Sequence, residues 1–309
     1  MEGIGMQGLE LCRLFYLQHG APLIESRLGE RSRRVAVGLA GQGSDCLGFD
    51  DELSRDHDFG PGFCLWLTDE DDEDFGDELR RLYAELPKLF LGYARNATPQ
   101  GADRVGVMRI SRFYAQYTGC RGIPSGDAAW LRIPEHLLAA ATSGEIFRDE
   151  LGEFSRVRNG LLPCYPDDVR LKKLAARIFV MAQAGQYNYG RIMKRRDEVA
   201  AALALSEFVK AALSAVHLLN RSYMPYYKWA FRSARRLPLL QEAVSGLEAL
   251  YSPGADREAL IESICAMVSG HLEREELSSA KDTFLVAHAE EIMRRIKSDY
   301  LRNLGVMVG

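Results

Sequence analysis

The sequence lacks the cysteine patterns that build a zinc centre or a disulfide framework. Its six cysteines include no CxxC pair, and none has a histidine at the spacing of a zinc site. A chain of 309 residues can bury a sizeable core without covalent crosslinks. We therefore expect the cysteines to be reduced thiols, most of them buried.

The sequence also lacks the features of secreted, membrane-spanning and nucleic-acid-binding proteins. Its first twenty residues contain no basic segment followed by a long apolar core, and no uninterrupted apolar run reaches the ~18 residues of a membrane span. The formal net charge of -4 disfavours a broad basic face. We therefore expect a cytoplasmic protein without a membrane partner, for which nucleic acid is not a favoured ligand. The sequence leaves the oligomeric state open.

The spacing of apolar residues predicts strands and helices in the first half of the chain and helices alone in the second. Apolar residues recur every three or four positions over residues 9–28, with breaks at Gly20 and Pro22, which predicts helices around a turn. Thr68, followed by acidic residues, is typical of a helix N-cap. Short apolar runs that predict strands lie at residues 34–39, 62–67, 103–110 and 145–149.

From about residue 166 the chain is rich in Ala, Leu, Lys and Arg, which predicts a helical bundle. The fold class is therefore α/β, with an α/β domain at residues 1–160 and a helical domain at residues 161–309. Most cations of the second domain, such as Lys172, Lys173 and Arg177, are expected on solvated helix faces. Aromatic residues at 223–229 line a cleft in one interpretation and pack between helices in the other.

Two short motifs in residues 41–59 point to phosphate and metal binding. Gly43 lets the backbone approach a phosphate closely, and the hydroxyl and amide of Ser44 can donate hydrogen bonds to it. Asp56 and Asp58 flank His57, and in an extended segment their carboxylates point to the same side while His57 faces away. Paired carboxylates suit Mg²⁺, which takes one or two of them together with substrate phosphates.

A plainer interpretation of the same residues stays open. Asp and Gly clusters commonly cap turns in solvated loops. In that case Asp50, Asp51, Asp56 and Asp58 have structural roles only.

Gly43-Ser44 followed by SRDHD at residues 54–58 resembles the signature of the nucleotidyltransferase superfamily that includes DNA polymerase beta, and especially the kanamycin-type nucleotidyltransferases. More closely, four stretches resemble the bacterial domain-of-unknown-function 4037 family. They are GSDCLGFDDELSRDHDFGPGF at residues 43–63, WLRIPEHLLA at 130–139, GQYNYGR at 185–191 and LLNRSYMPYYKW at 218–229.

The resemblance implies a mixed-sheet α/β catalytic domain followed by a helical domain, with Mg²⁺ bound by Asp56 and Asp58. It implies transfer of a nucleoside monophosphate from a nucleoside triphosphate, with ATP as the expected substrate, to a hydroxyl on a small molecule or protein. Arg191 and Lys228 can pair with the triphosphate.

The sequence departs from the superfamily at two carboxylates. The later strand that commonly supplies a third metal ligand has Gly106 at that position, and Asp103 and Asp149 are the nearby candidates. Where these enzymes carry a glutamate base, this chain has Gln186, which cannot take a proton at neutral pH. Two hypotheses follow: a Mg²⁺-dependent nucleotidyltransferase, or a degenerate relative that only binds a nucleotide or a partner. A third carboxylate close to Asp56 and Asp58 would favour the first.

Overall fold

A computed structural model of the protein describes residues 6–56, 58–96, 98 and 101–309. The fold is α/β, with a mixed four-stranded sheet and a helical second half. The chain forms two compact units. The first extends to Pro124 and includes Leu137–Leu162, and the second comprises Ser125–His136 and Pro163–Gly309.

The four predicted strands are confirmed, and they form one sheet in the first unit. In chain order the strands are β1 (Ala36–Leu39), β2 (Cys64–Leu67), β3 (Leu89–Phe90), β4 (Tyr93–Ala94), β5 (Gly106–Arg109) and β6 (Glu145–Arg148). The order across the sheet is β5-β2-β1-β6, whereas β3 and β4 pair separately. Every residue of β1 and β2 is buried, as the uninterrupted apolar runs predict.

The strand directions bring three chain segments to one edge of the sheet. β1 runs antiparallel to β2, and β5 runs parallel to β2. The end of β1 therefore lies at the same edge as the starts of β2 and β5. The segment after residue 39 and the segments before residues 64 and 106 meet there.

Helices flank these strands, and those predicted at residues 9–28 and after Thr68 are present. In chain order they are α1 (Gly8–Phe15), α2 (Ala21–Leu28), α3 (Ser44–Leu47), α4 (Asp69–Glu85), α5 (Ile110–Thr118), α6 (Asp127–Arg132), α7 (Glu135–Thr142) and α8 (Glu153–Leu161). The N-cap prediction is confirmed, since the Thr68 side chain accepts a hydrogen bond from the amide of Asp71.

The predicted turn between α1 and α2 is instead a π-helical turn, Tyr16–Gly20, so the chain stays helical. Pro22 lies in the first turn of α2, immediately after this π-helical turn. Gly20 is required for packing, because a Cβ there would lie 2.4 Å from the ring of Phe63. A main hydrophobic core of this unit joins α1, α2 and α4 to the sheet through residues such as Phe15, Phe63 and Leu79.

The second unit is helical. Its remaining helices are α9 (Asp167–Met181), α10 (Gly190–Lys194), α11 (Glu198–Leu219), α12 (Tyr227–Ala234), α13 (Gln241–Ala249), α14 (Arg257–Arg274), α15 (Leu285–Arg295) and α16 (Asp299–Arg302). The mostly buried α9 packs against α11 and α15. Among the described helices, α11 alone is long and apolar enough to cross a membrane; half of its most apolar window is buried, as in the core helix of a globular protein.

Candidate functional site

The turn after β1 is held in a conformation that requires glycine. Gly41 and Gly43 have φ angles of 116° and 137°, which residues with a Cβ rarely adopt. A Cβ on Gly41 would lie 2.7 Å from the hydroxyl of Tyr117. Ser143 fixes the same residue, since its hydroxyl lies 2.7 Å from the Gly41 carbonyl oxygen and accepts the Gly41 amide at 3.3 Å. The predicted phosphate turn is thus braced from two neighbouring segments.

A buried ion pair lies against this turn. Nη2 of Arg104 is 2.7 Å from Oδ1 of Asp45, the residue that follows Ser44. A Cβ on Gly43 would lie 2.1 Å from Nη2 of Arg104 and 2.2 Å from Oδ1 of Asp45. Burial by itself lowers the pKa of Arg104, but the Asp45 carboxylate outweighs it and raises that pKa above its ordinary value. Arg104 is therefore a permanent cation beside Gly43.

Arg104 also contacts the second predicted motif. Its Nη1 donates to the carbonyl oxygen of Asp58 at 3.2 Å. One guanidinium thus joins the turn at Gly43 and Ser44 to the loop that carries Asp58. Neither Asp45 nor Arg104 was predicted as a site residue from the sequence. Arg104 lies within the strand predicted at residues 103–110, and Asp45 immediately follows the Gly-Ser pair.

The prediction that Asp56 and Asp58 lie in an extended segment is wrong. Asp56 has helical angles (φ -64°, ψ -33°) at the end of the 3₁₀ helix Glu52–Arg55, and Asp58 has a positive φ of 53°. Strand β2 begins only at Cys64. His57, between them, lies outside the described residues. The alternation of side chains along a strand therefore does not apply to this pair.

Hydrogen bonds to the segment after β4 explain the bent backbone. Oδ1 of Asp58 accepts the amide of Thr98 at 2.8 Å, and the Thr98 hydroxyl contacts both carboxylate oxygens. The Asn96 carbonyl accepts the amide of Asp58, and the Asn96 side chain donates to the Asp56 carbonyl. The Asp56 side chain is exposed, whereas Asp58 is half-buried.

The plainer interpretation holds for two of the other aspartates. Oδ2 of Asp50 accepts the amide of Gly8 at the start of α1, at 2.7 Å. Asp51 caps the 3₁₀ helix by accepting the amide of Ser54. These carboxylates hold the loop in place.

Neither candidate for a third carboxylate completes a described metal cluster. The side chain of Asp103 is 94% exposed and lies 3.8 Å from Arg112. Asp149 accepts the amides of Gly152 and Ser155 at the start of α8. It follows β6, which is antiparallel to β1, so it lies at the sheet edge opposite to the turn. Gly106 is buried with a φ of 105°. Within the described part of the chain, no group of three or more His, Cys, Asp or Glu side chains could hold a metal ion.

The donors at this loop fit one type of magnesium site. Mg²⁺ usually binds through one or two carboxylates and completes its coordination with substrate phosphates and water. Asp58 offers one such carboxylate in the loop that Arg104 joins to the turn at Gly43, and the exposed Asp56 lies two residues before it. The described residues do not offer a cage made of protein ligands alone.

The predicted site residues of the second unit pack against neighbours in that unit. Gln186 donates to Glu262 and Thr283 and accepts the amide of Leu285, so it joins α14 to the start of α15. Arg191 is exposed, with its guanidinium 4.6 Å from the centre of the Tyr187 ring. Lys228 is exposed, with Nζ 5.0 Å from the centre of the Trp229 ring. Both keep a solvent-accessible positive charge.

The expectation that the cations of α9 are solvated is wrong for Lys172 and Lys173, which are 0% and 3% exposed. The spacing of apolar residues in α9 does not predict the burial of these two lysines, because their burial depends on hydrogen-bond acceptors from distant parts of the chain. Nζ of Lys172 donates to the carbonyls of Gly305, Val306 and Val308, at 2.6 to 3.0 Å. Lys173 donates to the Leu131 carbonyl at 2.9 Å.

Lys173 belongs to a buried polar cluster that was not predicted from the sequence. Burial raises the pKa of Glu135. Its Oε1 accepts a hydrogen bond from the Ser214 hydroxyl at 2.5 Å, and Nε of Arg177 lies 3.8 Å from the same oxygen. Burial lowers the pKa of Lys173 to about 8, against the opposing charge of Glu135. The aromatic segment contributes Tyr223, which is buried and packs edge-on against Tyr165.

A match to a protein-family model covers this buried polar cluster. Residues 130–230 match the family model described as a domain of unknown function (DUF4037). This DUF4037 segment is about a third of the chain and includes Glu135, Lys173, Arg177 and Ser214, but not the turn at Gly43 or the loop at Asp58. For this segment, the predicted resemblance of the motifs at 130–139, 185–191 and 218–229 to the domain-of-unknown-function 4037 family is therefore confirmed. No curated protein and no solved structure matched the chain.

Proposed function

We propose that the first unit binds a nucleoside triphosphate together with Mg²⁺. Gly43 and Ser44 contact the phosphates, and Asp56 and Asp58 hold the metal ion. The observation that carries the proposal is the position of Arg104, whose guanidinium contacts both Asp45 of the turn and the backbone of Asp58. A cation between the two motifs offsets the negative charge that a triphosphate brings to this edge of the sheet.

Each group has a distinct role in this proposal. The bound Mg²⁺ would neutralise part of the triphosphate charge. The glycine at position 43 allows the backbone N–H groups of the turn to approach phosphate oxygens. ATP is the proposed nucleotide, and we propose a cytoplasmic location, where the six free thiols would remain reduced.

Binding without transfer is the form of the proposal that the geometry supports best. The described residues contain no third carboxylate grouped with Asp56 and Asp58 as a metal site. Gln186, at the position of the expected base, has both its amide nitrogen and its amide oxygen in hydrogen bonds. A nucleotide-binding or interaction module needs neither group.

Transfer of a nucleoside monophosphate is the second candidate, favoured by the exposure of the Asp56 side chain to solvent. A hydroxyl oxygen of a small molecule or protein would attack the α-phosphorus. The bond from that phosphorus to the bridging oxygen would break, pyrophosphate would leave, and the hydroxyl proton would pass to a base. Pyrophosphate release that depends on an added acceptor, and that is lost in Asp58→Asn, would establish this candidate.

Calorimetric titration tests the binding proposal. ATP, GTP, CTP and UTP are titrated into the protein with and without Mg²⁺. The same titrations use the Asp56→Asn, Asp58→Asn double variant and Glu52→Gln, which removes one exposed charge from the same loop. We expect Mg²⁺-dependent binding. The double variant should weaken the affinity by about a hundredfold, roughly 3 kcal/mol, whereas the affinity of Glu52→Gln should stay within about twofold of the wild-type value. Failure of every nucleotide to bind would overturn the proposal, as would wild-type affinity in the double variant.

A further inference from the structure

A groove of about 170 Å³ lies next to the proposed phosphate turn, within the first unit. It is formed by the segment after β1, the start of β5 and helix α5. Its lining includes the polar or charged residues Gln42, Asp103, Arg104, Gln116 and Tyr117 and the apolar residues Met108 and Phe113.

The groove is lined by both apolar and polar side chains. Met108 and Phe113 supply the apolar surface, and Phe113 is fixed by edge-on packing against Trp66 and Tyr117. Gln42 and Gln116 add amide groups, each able to donate and accept hydrogen bonds. Burial raises the pKa of Tyr117 to about 12, so its hydroxyl stays protonated at neutral pH.

Gln42 and Arg104 connect the groove to the turn. Gln42 immediately precedes Gly43, and its backbone N–H donates to the Tyr117 hydroxyl at 3.4 Å. Arg104 lines the groove and also lies against Gly43, where a Cβ would come within 2.1 Å of its guanidinium. A ligand with phosphates at Gly43 would therefore extend directly into the groove.

The volume limits what part of a ligand can enter. Sites that enclose an entire drug-sized molecule measure about 300–1,000 Å³. This groove is smaller, so it can hold a planar ring but not an entire nucleotide. A planar ring bearing hydrogen-bonding edges suits an apolar wall with amides at its margin, and a guanidinium can stack on it.

We propose that this groove binds the base of the nucleotide whose phosphates lie at Gly43 and Ser44. The inference rests on the proposed function and adds the base subsite. Met108 and Phe113 contact the face of the base, Gln42 and Gln116 contact its edge, and Arg104 separates the base from the phosphates.

Two probes separate the base subsite from the phosphate site. ATP carries both parts, whereas inorganic tripolyphosphate carries the phosphates alone. Both are titrated with Mg²⁺ into the wild-type protein and into Met108→Trp, which fills the groove. Gln116→Trp places an indole in the same groove from an exposed position, where the larger side chain disturbs folding less. It therefore keeps the test valid if Met108→Trp does not fold. Leu203→Trp, at an exposed position on α11, is the control.

We expect the wild-type protein to bind ATP at least about tenfold more tightly than tripolyphosphate, a difference near 1.4 kcal/mol. Both groove variants should remove that preference and leave the affinity for tripolyphosphate unchanged, and Leu203→Trp should keep it. Equal binding of the two probes by the wild-type protein would overturn the base subsite alone. So would an ATP preference that survives both groove substitutions. Failure of both probes to bind would overturn the phosphate site and the groove together.

Discussion

Nη2 of Arg104 lies 2.7 Å from Oδ1 of Asp45, and both side chains are largely buried beside Gly43. The two residues are separated by 59 positions in the sequence. The pair fixes the segment before β5 against the turn after β1. It places a permanent cation one residue after Asp103 and two residues before Gly106, two of the positions considered for a third carboxylate.

Arg104→Gln should destabilise the protein by about 3–5 kcal/mol, because it leaves the buried Asp45 carboxylate without its partner. Urea unfolding followed by circular dichroism measures this change. Arg112→Gln is the matched control, since Arg112 and Asp103 form an ion pair with both side chains mostly exposed. That variant should lose less than about 1 kcal/mol. Equal effects of the two substitutions would contradict a stabilising role for the buried pair.

Gly43→Ala should be much more harmful than the same substitution at Gly92. Both glycines have positive φ angles, and Gly43, at φ 137° and ψ 150°, lies in a region that essentially only glycine adopts. A Cβ at Gly43 also meets Arg104 and Asp45 within 2.2 Å, whereas Gly92 has nothing within 4 Å. Thermal unfolding should therefore show a clearly larger loss for Gly43→Ala. A similar melting temperature for both variants would show that the turn can move away from the ion pair.

Lys173 should make stability depend on pH above neutrality. Burial lowers its pKa to about 8 from an ordinary value of 10.5, so between these values the unfolded chain binds more protons than the folded protein. The contribution of Lys173 to the free energy of unfolding should thus rise by about 3 kcal/mol from pH 8 to 10.5. This added stability should be lost as the pH falls from 10.5 through 8.

Comparison of unfolding free energies across this pH range isolates that contribution. Lys173→Met should show a smaller rise with pH than the wild-type protein. Lys210→Met, at an exposed position, should follow the wild-type curve. Parallel curves for the wild type and Lys173→Met would show that the buried amine keeps an ordinary pKa.

Lys172→Met should release the segment Gly305–Gly309 from α9. The substitution removes the donor for three backbone carbonyls, at Gly305, Val306 and Val308, and a thioether cannot replace it. Hydrogen exchange followed by mass spectrometry should show faster exchange in this segment, including the Val308 amide that donates to Gly305. Lys173→Met should leave that exchange unchanged, because Lys173 donates to Leu131 instead. Unchanged exchange in Lys172→Met would mean that other contacts hold the segment.

Much of the secondary structure could be predicted from local sequence. The apolar runs of β1 and β2 and the Thr68 N-cap depend on neighbouring residues, whose spacing and capping chemistry are visible along the chain. The glycine requirement at position 43 was also visible as a Gly-Ser pair. The bend at Asp58 was not, because Thr98 and Arg104 impose it from forty or more positions away.

The burial of charged residues could not be predicted for the same reason. Lys172, Lys173 and Glu135 have the sequence pattern of ordinary helix-surface residues, and an isolated charge is costly to bury. Their partners, which include the Gly305 carbonyl, the Leu131 carbonyl and Ser214, lie far away in sequence and become neighbours only after the helices pack. The sequence alone determined the strands, the helix starts and the residue types suited to phosphate and magnesium. The tertiary structure decided which polar groups meet, because a buried charge is tolerated only where distant segments supply its hydrogen bonds.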